Sequence, residues 1–478
     1  MLNPCPKTLL ALTVTLLLGA CAVTPVAPPE PAPAPAQFKE APAASQSAAV
    51  PDAWWTLFND PVLDALEQRV VIGNETLKAS VAQLATVRAT LNASQSAVYP
   101  TLSGGLNGTR AYTATSNAAE NPGNNVALSA SASWELDLWG RLAMATQGAQ
   151  ANVHASEADL AAARLSVQAA LAQGYFSLRT AEAQQELLQR NVLAYQKSLE
   201  LTQLRYQAGV AGLSDVLQAK TQLSGTQTQL ADSMAQRAQL EHSVAVLLGL
   251  PPSGFNLART ATLPTSVAVP SSLPSTLLER RPDIAAARER VKAAYAQIGV
   301  TDAAFFPTLS LSASAGYGQN SLANLLSTPN LLWNLGAGLT QSILDGGTRK
   351  LASAQARASA EQVSATYRQL VLTALQEVED NLVLSSRLQD EVNSQTEALQ
   401  SAQRNLDIVM AQYRAGTVGY LNVSAAQSAA LNAEATLVTV RNRQLAAVNT
   451  LLKNLAGRWE ASPARSQFQR PFELILLQ

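Results

Sequence analysis

The feature that most limits how this chain can fold is a run of 66 residues, Arg141 to Tyr206, that contains no proline. From Val167 onward, apolar or small residues recur in it at alternating steps of four and three, and only Gln185 interrupts that seam. A seven-residue repeat sustained over about five heptads predicts a supercoiled helix that packs along one narrow stripe. At about 1.5 Å per residue the helix would span about 100 Å, whereas a typical globular helix has about 11–12 residues.

The chain carries its main pattern twice. The stretch VYPTLS at 98–103 recurs as FFPTLS at 305–310, and RYQAGVAG at 205–212 recurs as QYRAGTVG at 412–419. Both offsets are 207 residues (305 − 98 and 412 − 205). Two independent landmarks at one offset predict an internal duplication. We therefore divide the folded part into two repeats, 53–274 and 275–457, each with a hairpin and a long helix pair.

Each repeat also contains residues that alternate with a period of two. From Val126 to Leu138, apolar residues alternate with small or polar ones, as in a strand with one apolar and one polar face. We predict β-hairpins at 101–138 and 308–345, with strands of the length that crosses an outer membrane when tilted. One chain supplies only four strands, and lipid tolerates no open sheet edge. The strands must therefore close with other copies, and a dimer with eight strands and a trimer with twelve both remain possible on this argument.

The beginning of the sequence predicts export and lipidation. Residues 1–20 have a positive Lys7 and a short apolar core, as a signal peptide does. Leu-Gly-Ala-Cys at 18–21 resembles the bacterial lipobox, so Cys21 is expected to carry an N-palmitoyl and an S-diacylglycerol group. A chance cysteine after an ordinary signal peptide is the alternative. Residues 21–52 would then form a lipidated, proline-rich tether, because their composition cannot bury a core.

Composition and motifs favour no catalytic chemistry. The formal charge of −1 gives no reason to expect nucleic-acid binding. The two histidines, His154 and His242, lack nearby cysteines or clustered carboxylates in the sequence, so we expect no metal. The motifs GxxxxGK[ST] and GxSxG are absent from the sequence. We expect neither enzyme activity nor a cofactor.

The sequence resembles the TolC-like outer-membrane efflux proteins, in their lipoprotein (NodT-type) branch. The stretches that carry the resemblance are LGAC at 18–21, WWTLFNDPVLDAL at 54–66, SWELDLWGR at 133–141, LLERRPDIAAAR at 277–288, FFPTLSLSA at 305–313 and LLKNLAG at 451–457. The resemblance implies a homotrimer whose 12-stranded outer-membrane β-barrel is continued by a long periplasmic α-helical coiled-coil barrel. Residues 458–478 would form a C-terminal tail in its equatorial region.

The same resemblance implies a passive exit duct for small molecules such as drugs. The duct would be part of a tripartite pump with a periplasmic adaptor (a membrane fusion protein) and an inner-membrane transporter of the RND type. Two other functions remain open, namely a duct for protein secretion and a non-transporting trimeric coiled-coil lipoprotein. A purely structural stalk has no need of lipid-facing strands, so the duplicated hairpins favour a duct.

The turns that end the long helices are the expected gate. Its candidate residues are Arg205, Tyr206, Asp215, Tyr413, Arg414 and Leu421. Arg and Tyr donors that face an acid across helices would make contacts weak enough to break reversibly. The resemblance places Leu421 in an apolar ring, but Ala425 stands where many members carry Asp, which weakens the case for an acidic ring. Alternatively, these residues belong to the helix seam, with Gly209 and Gly416 as helix caps.

Two acids near the end of the first hairpin form the last candidate site. Glu135 and Asp137 lie on the predicted polar strand face. We predict that they line the lumen of the duct. The alternative is that they cap the helix that follows.

Overall fold

The computed structural model describes residues 38–40, 50–111, 123–260, 262–267 and 281–456. The expected signal peptide, Cys21, most of the tether and the C-terminal tail lie outside the described residues. The described chain divides into two compact units. One contains Gln83–Glu157 and Ala286–Arg368, and the described part of the other comes from 38–82, 158–285 and 369–456.

Seven α-helices make up most of the described chain. They are α1 (Pro61–Gly73), α2 (Glu75–Ser96), α3 (Arg141–Gln207), α4 (Leu213–Leu247), α5 (Pro282–Ala303), α6 (Thr348–Ala415) and α7 (Tyr420–Leu455). The two long predicted helices are confirmed as α3 and α6, which have 67 and 68 residues. No described helix is both long and apolar enough to cross a membrane.

The buried side of α3 follows the predicted seam. Leu171, Leu178, Tyr195 and Thr202 are almost completely buried, and so is Gln185, which interrupts the pattern. Burial of these positions along one stripe explains why the sequence keeps a strict seven-residue repeat here. The heptad interpretation is therefore confirmed for the part of α3 beyond residue 167.

The helix ends are determined by capping. At the start of α1, Asp60 accepts hydrogen bonds from the backbone N–H groups of Val62 (2.9 Å) and Leu63 (3.3 Å). At the ends of α3 and α6, Gly209 and Gly416 have φ of +78° and +80°. The backbone bonds around both glycines are those of Schellman caps, which favour glycine because L side chains rarely adopt this conformation.

The four strands form one antiparallel sheet in the order β1 (Thr101–Ala111), β2 (Gly123–Leu136), β3 (Thr308–Gln319) and β4 (Leu331–Thr340). Its register places apolar residues opposite one another across all four strands, as in the rows Leu102–Ala132–Ala313–Leu335 and Leu106–Leu128–Tyr317–Leu331. The predicted apolar face is therefore continuous from β1 to β4.

The second hairpin ends earlier than the sequence predicts. The expected range reaches residue 345, whereas β4 ends at Thr340, which pairs with Thr308, the first residue of β3. Beyond Thr340 the neighbouring strand offers no further backbone partner. Ile343, which lies within the expected range, is therefore outside the strand and almost fully exposed.

Candidate functional site: the two helix turns

The turn between α6 and α7 is built around a pair of buried tyrosines. Tyr413 is only 2% exposed, and its ring packs edge-on against Tyr420 at 5.9 Å between centroids. Ala219 from α4 and Val423 from α7 complete this core. The Tyr413 hydroxyl lies 3.1 Å from the hydroxyl of Thr202 on α3. Helices of the first repeat thus hold the turn of the second.

Arg205 binds the same tyrosine from the end of α3. Its guanidinium lies over the Tyr413 ring, 4.5 Å from the centroid, and Nη1 donates a hydrogen bond to the Tyr413 carbonyl. A cation above an aromatic face is attracted by the ring quadrupole, and the attraction grows as water is excluded. Arg205 therefore connects the ends of the two long helices.

The other gate candidates remain at the surface of the single chain. Tyr206 is 45% exposed and Leu421 is 66% exposed, and Arg414 is exposed as well. Asp215 is half-buried, and within the described residues its carboxylate makes no ion pair with an arginine. Among the six candidates, Arg205 and Tyr413 are brought into direct contact. The gating role of the set stays a prediction.

Glu135 and Asp137 both contact the beginning of α3. Glu135 forms a bidentate ion pair with Arg141, with both oxygens 2.8 Å from Nη2. Asp137 accepts a hydrogen bond of 2.7 Å from the backbone N–H of Ala143. These are the contacts of the helix-capping alternative. The lumen-lining role stays a prediction.

The second repeat has a corresponding acid, because Leu-Asp at 136–137 recurs as Leu-Asp at 344–345, one residue beyond the offset of 207. Asp345 accepts hydrogen bonds from the backbone N–H groups of Gly347 (3.0 Å) and Arg349 (3.2 Å) at the start of α6. The hydrogen bond from the Arg349 side chain, followed by these backbone bonds, holds the pKa of Asp345 below its ordinary value. An acid that follows the last strand of a hairpin and caps the next long helix is therefore a shared property of the two repeats.

A buried charged cluster in the unit that contains the helix turns was not predicted. Arg179 and Glu182 on α3 pair at 2.7 Å, and Arg237 on α4 pairs with Glu182 at 3.1 Å and with Glu241 at 2.5 Å. The cluster also binds backbone groups of the segment that follows α4, at Leu257, Ala258 and Thr260. Opposite charges three and four residues apart in helices rich in Ala and Gln were the available signal. Such pairs usually lie at the surface, so the spacing alone did not indicate burial.

Duplicated long helix pairs joined to a four-stranded antiparallel sheet define the class of TolC-like outer-membrane channels. The family model described as "Outer membrane efflux protein" matches residues 66–250 and 273–457, and the chain belongs to this family. The two matched segments also agree with the internal duplication.

Curated relatives and a solved structure agree with this assignment. The pyoverdine export outer membrane protein OpmQ of Pseudomonas aeruginosa is 31% identical, with 95% of this chain and 98% of OpmQ covered. The antibiotic efflux pump outer membrane protein ArpC of Pseudomonas putida is 29% identical, with 98% and 99% covered. The solved outer-membrane channel OprN matches with a TM-score of 0.84 at 27% identity, covering 91% of this chain and 99% of OprN.

The protein is therefore an outer-membrane efflux channel with a large periplasmic portion. Members of the family are channels rather than enzymes, and they work in tripartite systems with an adaptor and an inner-membrane transporter. The expected fold class and function are confirmed at this level.

Proposed function

We propose that three copies of this chain form one duct that passively conducts small molecules from an inner-membrane transporter to the cell exterior. The observation that carries the proposal is the sheet with two free edges. Within the described residues, β1 and β4 each pair on one side only. Their outer N–H and C=O groups would face lipid without partners, at a cost of several kcal/mol for each group.

Edge-to-edge closure removes this cost. If β4 of one copy pairs with β1 of the next, three copies give a closed barrel of twelve strands (3 × 4). The apolar face that the register creates across the sheet would then face lipid without interruption. Trp333 and Leu335 of β4 lie on this face and are 72% and 73% exposed in the single chain, which fits a surface that lipid covers.

The turn of the first repeat supports an adaptor as partner. Leu204, Val210, Leu213 and Leu217 are large apolar residues that stay exposed around this turn. Leu213 and Leu217 lie one helical turn apart on α4, so they share a face. An exposed apolar patch of this kind is typical of a surface that contacts another protein. We propose that a periplasmic adaptor binds it and connects the duct to a transporter of the RND type.

The lipid anchor and the gate complete the proposal. The lipobox-like stretch supports diacylglycerol and palmitoyl attachment at Cys21. The contact between Arg205 and Tyr413 supports a closing role at the helix ends, with Tyr206, Asp215, Arg414 and Leu421 available at the surface for other copies. The names of OpmQ and ArpC refer to pyoverdine export and antibiotic efflux, which favours small molecules over secreted proteins as cargo.

Native mass spectrometry of the detergent-purified protein, followed by recording in planar bilayers, tests the proposal. We expect three chains per particle and discrete channel openings. A monomer that keeps its β content, or a trimer that never conducts under any applied voltage, would contradict it. A trimer without channels would favour the structural-lipoprotein alternative.

A further inference from the structure

A short piece of the N-terminal segment is bound to the middle of α6. We call Phe38–Glu40 the strap. The backbone N–H of Lys39 donates to Oε1 of Glu379 at 2.8 Å, and the backbone N–H of Glu40 donates to Oε2 at 3.0 Å. One carboxylate therefore binds two consecutive peptide groups that lie 340 and 339 residues away in the chain. The ring of Phe38 is buried beside them.

The sequence around the strap allows the contact to form there. Residues 23–51 contain eight prolines, and a proline has no N–H to donate. Residues 36–41 are a stretch of six without proline. Two adjacent free N–H groups are therefore available at the strap, with an aromatic residue next to them. Hydrogen bonds to a charged carboxylate are stronger than neutral ones, so this is an effective place to hold a segment that has no core of its own.

We propose that Glu379 is a docking site for the chain's own N-terminal segment and that it sets the length of the membrane tether. With the strap docked, 17 residue-to-residue steps lead from Cys21 to Phe38 (38 − 21). An extended proline-rich chain of this length reaches about 53 Å at about 3.1 Å per residue. With the strap released, the next buried residue that the structure describes is Val50, and the free tether grows to 29 steps (50 − 21), or about 90 Å. The tether length rests on the lipidation proposed at Cys21, whereas the docking itself does not.

Limited proteolysis of the purified trimer tests the docking directly. Lys39 is the only lysine or arginine between residues 22 and 68, so trypsin has a single target there. Its side chain is exposed, but the bond to be cut lies between the two N–H groups that Glu379 binds. Trypsin can cut only after the strap leaves the carboxylate. The cleavage rate therefore measures the fraction of molecules in which the strap is released. The product is a chain that begins at Glu40, which intact-mass measurement identifies.

We expect the folded protein to be cut at Lys39 at least tenfold more slowly than a synthetic peptide of residues 30–48. Glu379→Ala should accelerate cleavage at least tenfold, because both acceptors are lost. Glu379→Gln should fall between the two, because the amide keeps one acceptor oxygen. Asp380→Asn is the matched control on the same helix, since among the described residues this carboxylate accepts a hydrogen bond from Gln376 and none from the strap, and the cleavage rate of this variant should equal that of the parent.

Two results would overturn the docking site. The first is that trypsin cuts the parent protein as fast as the peptide. The second is that the Glu379→Ala variant forms a trimer and is cut at the same rate as the parent. If Glu379→Ala does not assemble, the cleavage rate of the parent is compared with those of the peptide and of Glu379→Gln. Equal rates in all three would overturn the docking site. Channel conductance should be the same in all variants, so a failure of the duct proposal and a failure of the docking proposal give different results.

Discussion

The guanidinium of Arg205 lies 4.5 Å from the ring centroid of Tyr413, although 208 residues separate the two in the chain. Each residue lies in the last turn of a long helix, one in each repeat. The contact therefore joins the ends of α3 and α6 directly. Any separation of these helix ends has to break it, which makes it the most specific point at which to test the gate.

We expect replacement of Arg205 and Asp215 together by Ala to raise the open probability of the channel. The Arg205 contact is worth about 0.5–1 kcal/mol if exposed and more if desolvated, and three symmetric copies multiply it. A shift of about 1.4 kcal/mol changes a two-state population tenfold. Single-channel recording measures the effect, and Arg190→Ala, which removes an exposed ion pair with Glu434, is the control. Parent-like conductance from an intact trimer would contradict the gate assignment.

Leu421→Ser tests the second part of the gate. Leu421 is exposed in the single chain, so the substitution removes no core packing within it. If an apolar ring constricts the duct here, a serine should let water enter and raise conductance severalfold, without loss of thermal stability. Ile408→Ser is a control at another exposed aliphatic position, in α6. Equal conductance of both variants and the parent would remove Leu421 from the gate.

Glu182→Gln should destabilise the protein strongly. Glu182 is buried and accepts from Arg179, Arg237 and the backbone of Thr260. Removing one charge from a buried pair leaves the other uncompensated, at a cost of about 3–5 kcal/mol. Glu434→Gln, in the exposed pair with Arg190, should cost under about 1 kcal/mol. Thermal unfolding followed by circular dichroism compares the two, and similar melting temperatures would show that the buried cluster contributes little.

Glu67 should make stability fall as pH rises. Its side chain is fully buried, and desolvation, assisted by the charge of Asp64, raises its pKa from 4.5 to about 9. The folded state then keeps a proton that the unfolded state loses above about pH 4.5, so unfolding is favoured increasingly up to about pH 9. Each pH unit in this window costs at most about 1.4 kcal/mol.

Glu67→Gln supplies the measurement for this effect, because the amide imitates the protonated acid. We expect the variant to be more stable than the parent at pH 8 and no more stable at pH 4. Asp380→Asn, at an exposed position, should show no such difference. A parent and a Glu67→Gln variant with parallel stability curves from pH 4 to pH 9 would show that Glu67 ionises normally.

Gly73→Ala should lower the stability of the folded protein, whereas Gly225→Ala should not. A Cβ at Gly73 would lie 2.2 Å from the carbonyl oxygen of Leu248, where the end of α1 meets the end of α4. Backbone has to move to accept it, so we expect a cost of about 1–3 kcal/mol. Gly225 lies within α4 with open space around it, and alanine there should stabilise by up to about 1 kcal/mol. Thermal unfolding of the two variants gives the comparison, and equal effects would contradict the close approach.

Periodicity predicted most of the fold because it depends on burial along one face. The heptad seam of α3 and the apolar face of β2 and β3 are regular enough to be recognised in the sequence. The gate residues were harder, since Tyr206 and Tyr413 occupy matching positions in the two repeats, yet the first is 45% exposed and the second is 2% exposed. Thr202, Ala219 and Tyr420 produce this difference, and only the packing of distant helices brings them together. The Glu182 cluster and the strap on Glu379 were missed for the same reason.

The two free edges of the sheet also have a genetic consequence. Under the proposed closure, one faulty copy leaves a gap in the ring that the other two cannot cover. A cell that makes equal amounts of intact and closure-defective chains, mixed at random, would build only about one eighth of its rings from intact chains alone. Substitutions that spoil pairing along β1 or β4 are therefore expected to be dominant, whereas those that prevent the chain from reaching the membrane are expected to be recessive.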